Sequence, residues 1–214
     1  QRGMTTDHDV SSHWVIIESA ANQRYIFGTN KRRANIGASE MVRRVGTDWT
    51  EDAIQGLPGV EPIVMTSGKA ILCVLDPDVG RDVIARITTR ALREAPGLGV
   101  YGVVHPMAQG GDRGLRGAHH ALLGFRAECP PVENRFLSMP FTEPCAHTGL
   151  PAATVGAVGG QQQSWSAQFD SVFRVAGSHR NGPSTDGLRR LTGIVTSGAQ
   201  SDSLAEAVPK PSDL

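Results

Sequence analysis

The sequence has few of the features that would assign the protein to a specialised class. No apolar run approaches the ~20 residues of a membrane-spanning helix, and the first residues lack the apolar core of a signal peptide. The 21 basic residues are balanced by 21 acidic residues, so no overall charge attracts nucleic acid. Only three cysteines occur, an odd number that suits a reducing compartment better than a disulfide scaffold. We therefore expect a cytoplasmic protein that has no membrane partner.

Large apolar side chains are also scarce, whereas residues that favour loops are common. Aromatic residues make up 5% of the chain, and the 25 Gly and 13 Pro residues indicate extensive loop. The polar segment at 1–12 is predicted to be a disordered N-terminal tail. Gly, Ser, Gln and Ala dominate from residue 152 onward, so residues 152–214 are predicted to be a linker or tail.

The hydrophobic pattern predicts one α+β domain at residues 13–107. Short β-branched runs predict strands, and apolar residues at helical spacing predict helices. The predicted strands cover residues 14–17, 62–66, 70–75 and 100–104, and the predicted helices cover residues 30–45 and 79–95. This βαββαβ order is typical of a ferredoxin-like fold, in which one antiparallel four-stranded sheet carries both helices on one face.

A helical extension that contains Cys and His residues is predicted at 108–151. A Gly-rich loop leads into a predicted helix at 115–128, which ends at Cys129 because two prolines follow it. A short strand is predicted at 136–139.

Several short motifs occur at defined places in this pattern. They are Glu-Ser-Ala-Ala-Asn-Gln at 18–23, Tyr-Ile-Phe at 25–27, Asn-Lys at 30–31, Ile-Gly-Ala-Ser-Glu at 36–40, Thr-Ser-Gly at 66–68 and Cys-Ala-His-Thr-Gly-Leu-Pro-Ala at 145–152. Over about residues 14–152 the chain resembles the polymerase/cyclase palm domain of the large subunit of type III CRISPR effector complexes. That family shares its palm with nucleotide cyclases, so the resemblance implies the same ferredoxin-like fold.

One departure from the family pattern concerns the turn of the predicted hairpin. Catalytic palms of this family carry Gly-Gly-Asp-Asp there, and its carboxylates hold magnesium, whereas this chain has Ser67, Gly68 and Lys69. A charged ammonium group cannot ligate magnesium. The chain thus resembles the non-catalytic first palm of the large subunit, or a freestanding relative of it.

The resemblance implies a function in antiviral defence, where the family's enzymes make cyclic oligoadenylates from ATP. We expect a catalytically degenerate palm that binds an ATP-like nucleotide or completes a composite nucleotide site with a second palm. One alternative is a non-enzymatic interaction module, with a defence subunit or a second copy as its partner. Another alternative is an active oligonucleotide cyclase that uses Glu18 and Asp112.

Residue types that suit a nucleotide occur in four stretches. Amides and basic side chains near a helix start can bind phosphate, although they can equally form a solvated basic face. A run of small residues permits close approach of a purine ring, and it equally permits tight helix packing. The candidates are Asn22, Gln23, Arg24, Asn30, Lys31, Gly37, Ala38, Ser39, Ser67, Gly68 and Lys69.

Two carboxylates are candidates for a magnesium site that would accompany ATP. The resemblance implies a metal-binding role for Glu18, because family palms place a carboxylate at this strand end. Otherwise Glu18 faces water or pairs with an arginine. Asp112 follows Gly-Gly after the fourth strand, which indicates a turn, and it becomes a candidate ligand if this loop folds against the sheet edge.

A zinc site is a further hypothesis for the extension. Cys129, Cys145 and His147, with His119 or His120, supply zinc-type ligands, but no Cys-x-x-Cys pair is present. The alternative is that the cysteines are free thiols.

Overall fold

A computed structural model describes residues 12–107 and 112–178 of the 214-residue chain. The predicted N-terminal tail lies outside the described residues except for Ser12, and so does the predicted C-terminal tail from residue 179 onward. The described residues up to Ala176 belong to one structural unit. None of the described helices has the length and apolar character that a membrane span requires.

The main sheet has four antiparallel strands in the order β2-β3-β1-β4. The strands are β1 (His13–Ala20), β2 (Val60–Thr66), β3 (Lys69–Val74) and β4 (Gly99–Pro106). In the central strand β1, Ile17 lies opposite Ala70 of β3 and Gly102 of β4. A two-residue turn joins β2 to β3, and its Gly68 has a φ of 74°, a value that favours glycine.

Four helices accompany this sheet in the first half of the chain. They are α1 (Asn22–Ile26), α2 (Arg32–Gly46), α3 (Asp48–Ile54) and α4 (Pro77–Glu94). The long helices α2 and α4 pack on one face of the sheet, which confirms the predicted ferredoxin-like fold. The core on this face includes Val15, Ile17, Ala38, Met41, Val45, Leu72, Val74, Val83 and Ile87.

Local sequence explains where α4 begins. The Asp76 side chain accepts a hydrogen bond from the Asp78 backbone amide at 2.8 Å, and Pro77 stands in the first turn. Both features stabilise a helix start, because the first amides of a helix have no partner within it.

Two short helices occur where the sequence predicts a turn or a connection. β1 continues through Ala20, and α1 follows at once, so the polar stretch at 18–23 is not a simple turn. The predicted connection at 47–62 contains α3, whose Trp49 and Ala53 are buried one helical turn apart. Burial of this apolar face stabilises the short helix, because packing contributes most of the stability of a helix of this length.

The opposite face of the sheet is covered by α5 (Asp112–Glu128), which confirms the helix predicted at 115–128. Ala118 and Leu122 of α5 form a second core cluster with Ile16 and Ile71 of the sheet. A 3₁₀ helix follows at Val132–Arg135, and the described residues 136–139 form no strand, contrary to the prediction.

The prediction of a linker or tail from residue 152 is wrong for residues 154–178. This stretch forms a hairpin of β5 (Thr154–Val158) and β6 (Gln161–Trp165), followed by α6 (Ala167–Ser178). Trp165, Phe169 and Val172 are buried in the main core. The apolar side chains of α6 follow helical spacing, but the many Gly, Gln and Ser residues around them led to the prediction of a linker.

We expect that replacing Phe169 with Ala destabilises the protein by about 3–5 kcal/mol, the usual cost of removing a buried aromatic side chain. Phe169 is 0% exposed, stacks on His147 and Phe173, and meets Trp165 edge-on. Urea unfolding followed by circular dichroism measures the change.

The matched control is Val155→Ala in the same hairpin-helix region, because Val155 is 65% exposed. It should change the unfolding free energy by less than about 0.5 kcal/mol. Equal effects of the two substitutions would contradict the burial of α6.

Candidate functional site

Glu18 stands near the end of β1, on the sheet face that α5 covers. Strand alternation places it on the same face as Ile16, directly opposite Lys69 of β3. Its Oε2 atom lies 3.3 Å from Lys69 Nζ, and its Oε1 atom lies 3.5 Å from Arg126 Nη1 at the end of α5. Both carboxylate oxygens therefore face cations, which agrees with the alternative of a carboxylate paired with an arginine. A magnesium-binding role for Glu18 stays a prediction.

The hairpin turn is attached to the end of β1. The backbone amide and the hydroxyl of Ser19 both donate to the Gly68 carbonyl oxygen, at 2.7 and 3.1 Å. A Cβ atom at Gly68 would lie 3.4 Å from Asn22 Nδ2, and the buried Oδ1 of Asn22 has no hydrogen-bond partner. The structure thus brings the predicted residues Glu18, Asn22, Gly68 and Lys69 together at one corner of the sheet, with Ser67 in the same turn.

The small-residue run at 37–39 does not offer a surface to a purine ring. A Cβ atom on Gly37 would collide with the backbone of Val172, so α2 and α6 pack with their backbones in close contact. Ala38 is buried in the core, and only Ser39 is exposed. The packing alternative is correct for Gly37, which packs against α6, and for Ala38, which is buried in the main core.

Much of the basic charge on α2 is neutralised within the protein. Arg43 donates to both Glu40 and Asp48 at 2.7–2.8 Å, and Arg44 donates to Glu40 at 2.9 Å. Burial of Glu40 opposes its ionisation, but hydrogen bonds from both arginines outweigh burial and lower the pKa of Glu40. The guanidinium of Arg33 lies 4.0 Å from the centre of the Phe173 ring. This part of α2 is therefore not a free phosphate-binding face.

The remaining predicted nucleotide contacts are dispersed. Gln23 and Asn30 are exposed, and the charge of Lys31 acts on His147 in the extension. Partial burial and the nearby Lys31 lower the pKa of His147. Among the candidates at 22–24, Arg24 alone lines the cleft described below.

The residues proposed for zinc do not assemble into a metal site. Within residues 12–107 and 112–178, no three His, Cys, Asp or Glu side chains form a group that could hold a metal ion. Cys145 is buried, and its Sγ accepts a hydrogen bond from the His147 backbone amide at 3.5 Å. Burial opposes ionisation of this thiol, but hydrogen bonds, first from Thr148, lower the pKa of Cys145. Cys129 is also a free thiol, which agrees with the alternative.

The other titratable candidates lie on α5. Partial burial and the charge of Lys69 lower the pKa of His119, which therefore stands beside the Glu18–Lys69 pair. Asp112 is the first residue of α5, and its side chain lies outside the described residues. A metal-binding role for Asp112 stays a prediction.

A cleft of about 410 Å³ opens beside this corner of the sheet. Its walls come from the end of β1, α1, the start of β4, the end of α5, segment 129–136 and segment 148–150. The lining includes the charged, aromatic and amide side chains of Arg24, Tyr101, Arg126, Glu133, Phe136 and Gln168. This volume lies within the range of about 300–1,000 Å³ that is usual for small-molecule sites.

Two guanidinium groups give the cleft its charge. Arg24 Nη2 lies 2.8 Å from Glu133 Oε1 in an exposed ion pair. Arg126 spans the distance between Glu18 and the Tyr101 ring, with its guanidinium carbon 5.9 Å from the ring centre. Glu133 is the one carboxylate among the described lining residues, so the cleft has an excess of positive charge.

The chain path at Ala21 positions Arg24. Ala21 lines the cleft in the left-handed conformation, with φ 56° and ψ 36°, and no other described residue apart from glycines has a positive φ. Such a conformation is costly for a residue that has a Cβ. It turns the chain from β1 into α1, so that Tyr25 enters the core while Arg24 remains at the cleft.

No family model and no curated protein matches the chain. The resemblance to a CRISPR palm therefore rests on the short motifs alone. Sequence reasoning missed Tyr101, Arg126, Glu133 and Gln168, because no local motif surrounds any of them. A basic residue in the last turn of a predicted helix was the one available signal for Arg126, and that position is common in helices.

Substituting Gly37 with Ala tests whether this glycine serves packing. We expect a loss of about 1–3 kcal/mol in unfolding free energy, because the added methyl group meets backbone that cannot move as a side chain can. Thermal and urea unfolding of the purified variant give the measurement.

Gly124→Ala in α5 is the matched control, since an added Cβ there meets nothing within 4 Å. It should leave stability unchanged or raise it by up to about 1 kcal/mol, as alanine favours helix. A Gly37→Ala protein as stable as the wild type would show that α2 and α6 are not in close contact.

Proposed function

We propose that this protein is a non-catalytic palm domain that binds a phosphate-bearing nucleotide in the cleft between α1, β4 and α5. One observation carries the proposal. Arg24 and Arg126 bring two guanidinium groups to a cleft of ligand size, and the adjacent carboxylate, Glu18, is held between Lys69 and Arg126. Following the family resemblance, the protein would act in CRISPR-type nucleotide signalling, alone or with a second palm.

The ion pairs of Glu18 support a site that binds a nucleotide without catalysing a reaction. Nucleotidyl transfer by palm enzymes needs carboxylates that hold two metal ions close together. Here the hairpin residue that faces Glu18 is Lys69, and its ammonium group occupies the side from which a metal would approach. Arg126 faces the second carboxylate oxygen. The site is therefore suited to bind anions, not to hold a pair of cations.

The composition of the cleft supports a nucleotide as the ligand. Guanidinium groups match the geometry of phosphate oxygens and can donate two hydrogen bonds to them. Tyr101 and Phe136 supply aromatic surface, and Pro130, Pro131, Val132 and Leu150 supply further apolar lining. Aromatic and apolar side chains are the usual contacts of a nucleobase. A ligand with an anionic end and a flat apolar end fits this distribution.

Isothermal titration with adenine nucleotides, AMP and ATP in the presence of magnesium, tests the proposal. We expect the wild type to bind at least one of them. The double variant Arg24→Ala/Arg126→Gln should bind roughly tenfold more weakly or worse, because each charge-assisted hydrogen bond contributes about 1.5–3 kcal/mol.

The control variant is Arg81→Ala on α4. Arg81 is exposed and pairs with Asp78, as Arg24 pairs with Glu133, but it does not line the cleft. It should bind nucleotide as the wild type does. If the folded wild type binds neither nucleotide at millimolar concentration, the proposed function is wrong.

Exposed apolar side chains favour a second candidate function, an interaction module. Leu137, Met139 and Phe141 lie at alternate positions and are 73%, 40% and 84% exposed. Neighbouring exposed apolar side chains of this size often mark a protein interface. Among the partners expected from the sequence, a second copy of the chain can be tested directly.

Sedimentation velocity over a range of concentrations tests self-association through this segment. The wild type should associate as concentration rises, and the Leu137→Ser/Phe141→Ser variant should remain monomeric. Leu92→Ser, at an exposed position of α4, is the control and should associate as the wild type does. A wild type that is monomeric throughout would rule out the second copy as partner.

A further inference from the structure

We propose that the cleft selects a nucleotide with a single phosphate group, a nucleoside monophosphate, and binds it without a divalent cation. This inference rests on the proposed function and names its ligand class more narrowly. It departs from the ATP-like ligand that the family resemblance implies.

The first argument is the charge of the lining residues. Arg24 and Arg126 contribute two positive charges, and Glu133 contributes one negative charge. Their net charge of +1 offsets most of the charge of a phosphomonoester, which is about −1.5 to −2 at neutral pH. A triphosphate carries considerably more negative charge, and within residues 12–107 and 112–178 no other cationic side chain lines the cleft to meet its additional phosphates.

The second argument concerns where a divalent cation would bind. Magnesium accompanies nucleoside triphosphates because it is bound by one or two protein carboxylates together with phosphate oxygens. Among the described residues at the cleft, Glu133 already pairs with Arg24, and the nearby Glu18 pairs with Lys69 and Arg126. A magnesium ion at either carboxylate would meet repulsion from these cations. This arrangement favours a ligand that needs no metal.

The third argument identifies what the ligand must displace. Arg126 can turn to a phosphate and leave Glu18 paired with Lys69, so no carboxylate loses all its partners. Arg24, in contrast, must leave or share its contact with Glu133. Glu133 is therefore an internal competitor for the phosphate, and its removal should strengthen binding.

The position of the aromatic rings supports a base and a phosphate bound side by side. Tyr101 packs edge-on against Phe125, with ring centres 6.4 Å apart, and Arg126 lies over its ring. These contacts hold the Tyr101 ring in place beside the guanidinium group. A base stacked against this wall would lie one sugar away from a phosphate at Arg126, as the base and the first phosphate do in any 5′-nucleotide.

Isothermal titration of the full chain with AMP, adenosine, inorganic phosphate and ATP, each in EDTA and in excess magnesium, tests this inference. We expect AMP to bind with an affinity that magnesium leaves unchanged. Adenosine and inorganic phosphate should each bind roughly tenfold more weakly or worse, because each keeps only one of the two sets of contacts. ATP with magnesium should bind no more tightly than AMP.

Two cleft variants and one control sharpen the test. Glu133→Gln should tighten AMP binding by about two- to fivefold, the range expected when an exposed competing ion pair is removed. Arg126→Gln should weaken it by roughly tenfold or more. Asp78→Asn removes the carboxylate of a comparable exposed pair on α4 and should leave AMP binding unchanged.

The outcomes separate the two proposals. ATP that binds more tightly than AMP, and only with magnesium, would overturn the monophosphate inference and leave the proposed nucleotide function standing. Weaker AMP binding by the Glu133→Gln variant would show that Glu133 does not compete with the phosphate group for Arg24. If no nucleotide binds to the folded chain under any condition, both proposals fail.

Discussion

The architecture depends on the burial of β1 on both of its faces. Val15, Ile16 and Ile17 are consecutive and fully buried, so apolar surface projects from both sides of the central strand. A sheet of this kind needs a helical layer on each face. Helices α2 and α4 cover one face, and α5 covers the other. The position of α5 follows from this requirement, and so does the position of Arg126 at its end.

The site follows from the same requirement. Because α5 covers the face on which Glu18 lies, the carboxylate meets Arg126 as well as Lys69 in place of open solvent. The end of α5 also forms one wall of the cleft, so Arg126 belongs to both the ion-pair group and the cleft. The charge of Glu18 and the charge of the cleft are therefore coupled through one side chain. An anion that contacts Arg126 in the cleft therefore also affects the ion pair between Arg126 and Glu18.

A second constraint comes from the close approach of α2 and α6. Gly37 lets the two helix backbones touch, and this contact places α6 so that Gln168 lines the cleft while Phe169 enters the core. The small-residue run that suggested a purine site thus contributes to the cleft indirectly. It positions the helix that supplies part of the wall.

The sequence by itself determined the order of the four strands of the main sheet and its two long helices, because strand and helix periodicity and turn chemistry are local properties. The hairpin around Gly68 and the βαββαβ order were both predicted from short stretches. Lys69 beside the hairpin turn was equally visible in the sequence, and from it we predicted that the turn holds no metal. The composition of residues 152–214 led to a wrong prediction, because Gly, Gln and Ser residues surround the buried apolar side chains of α6 and obscure their helical spacing.

Tertiary structure alone decided which side chains meet. Glu18 and Arg126 are far apart in the sequence, and their contact depends on the packing of α5 against β1 and β4. Arg24 and Glu133 come together only because segment 129–136 folds back to α1. Neither pair leaves a local pattern, since long-range contacts are fixed by the packing of whole elements. The cleft, its charge and the accessibility of each predicted residue therefore followed from the fold.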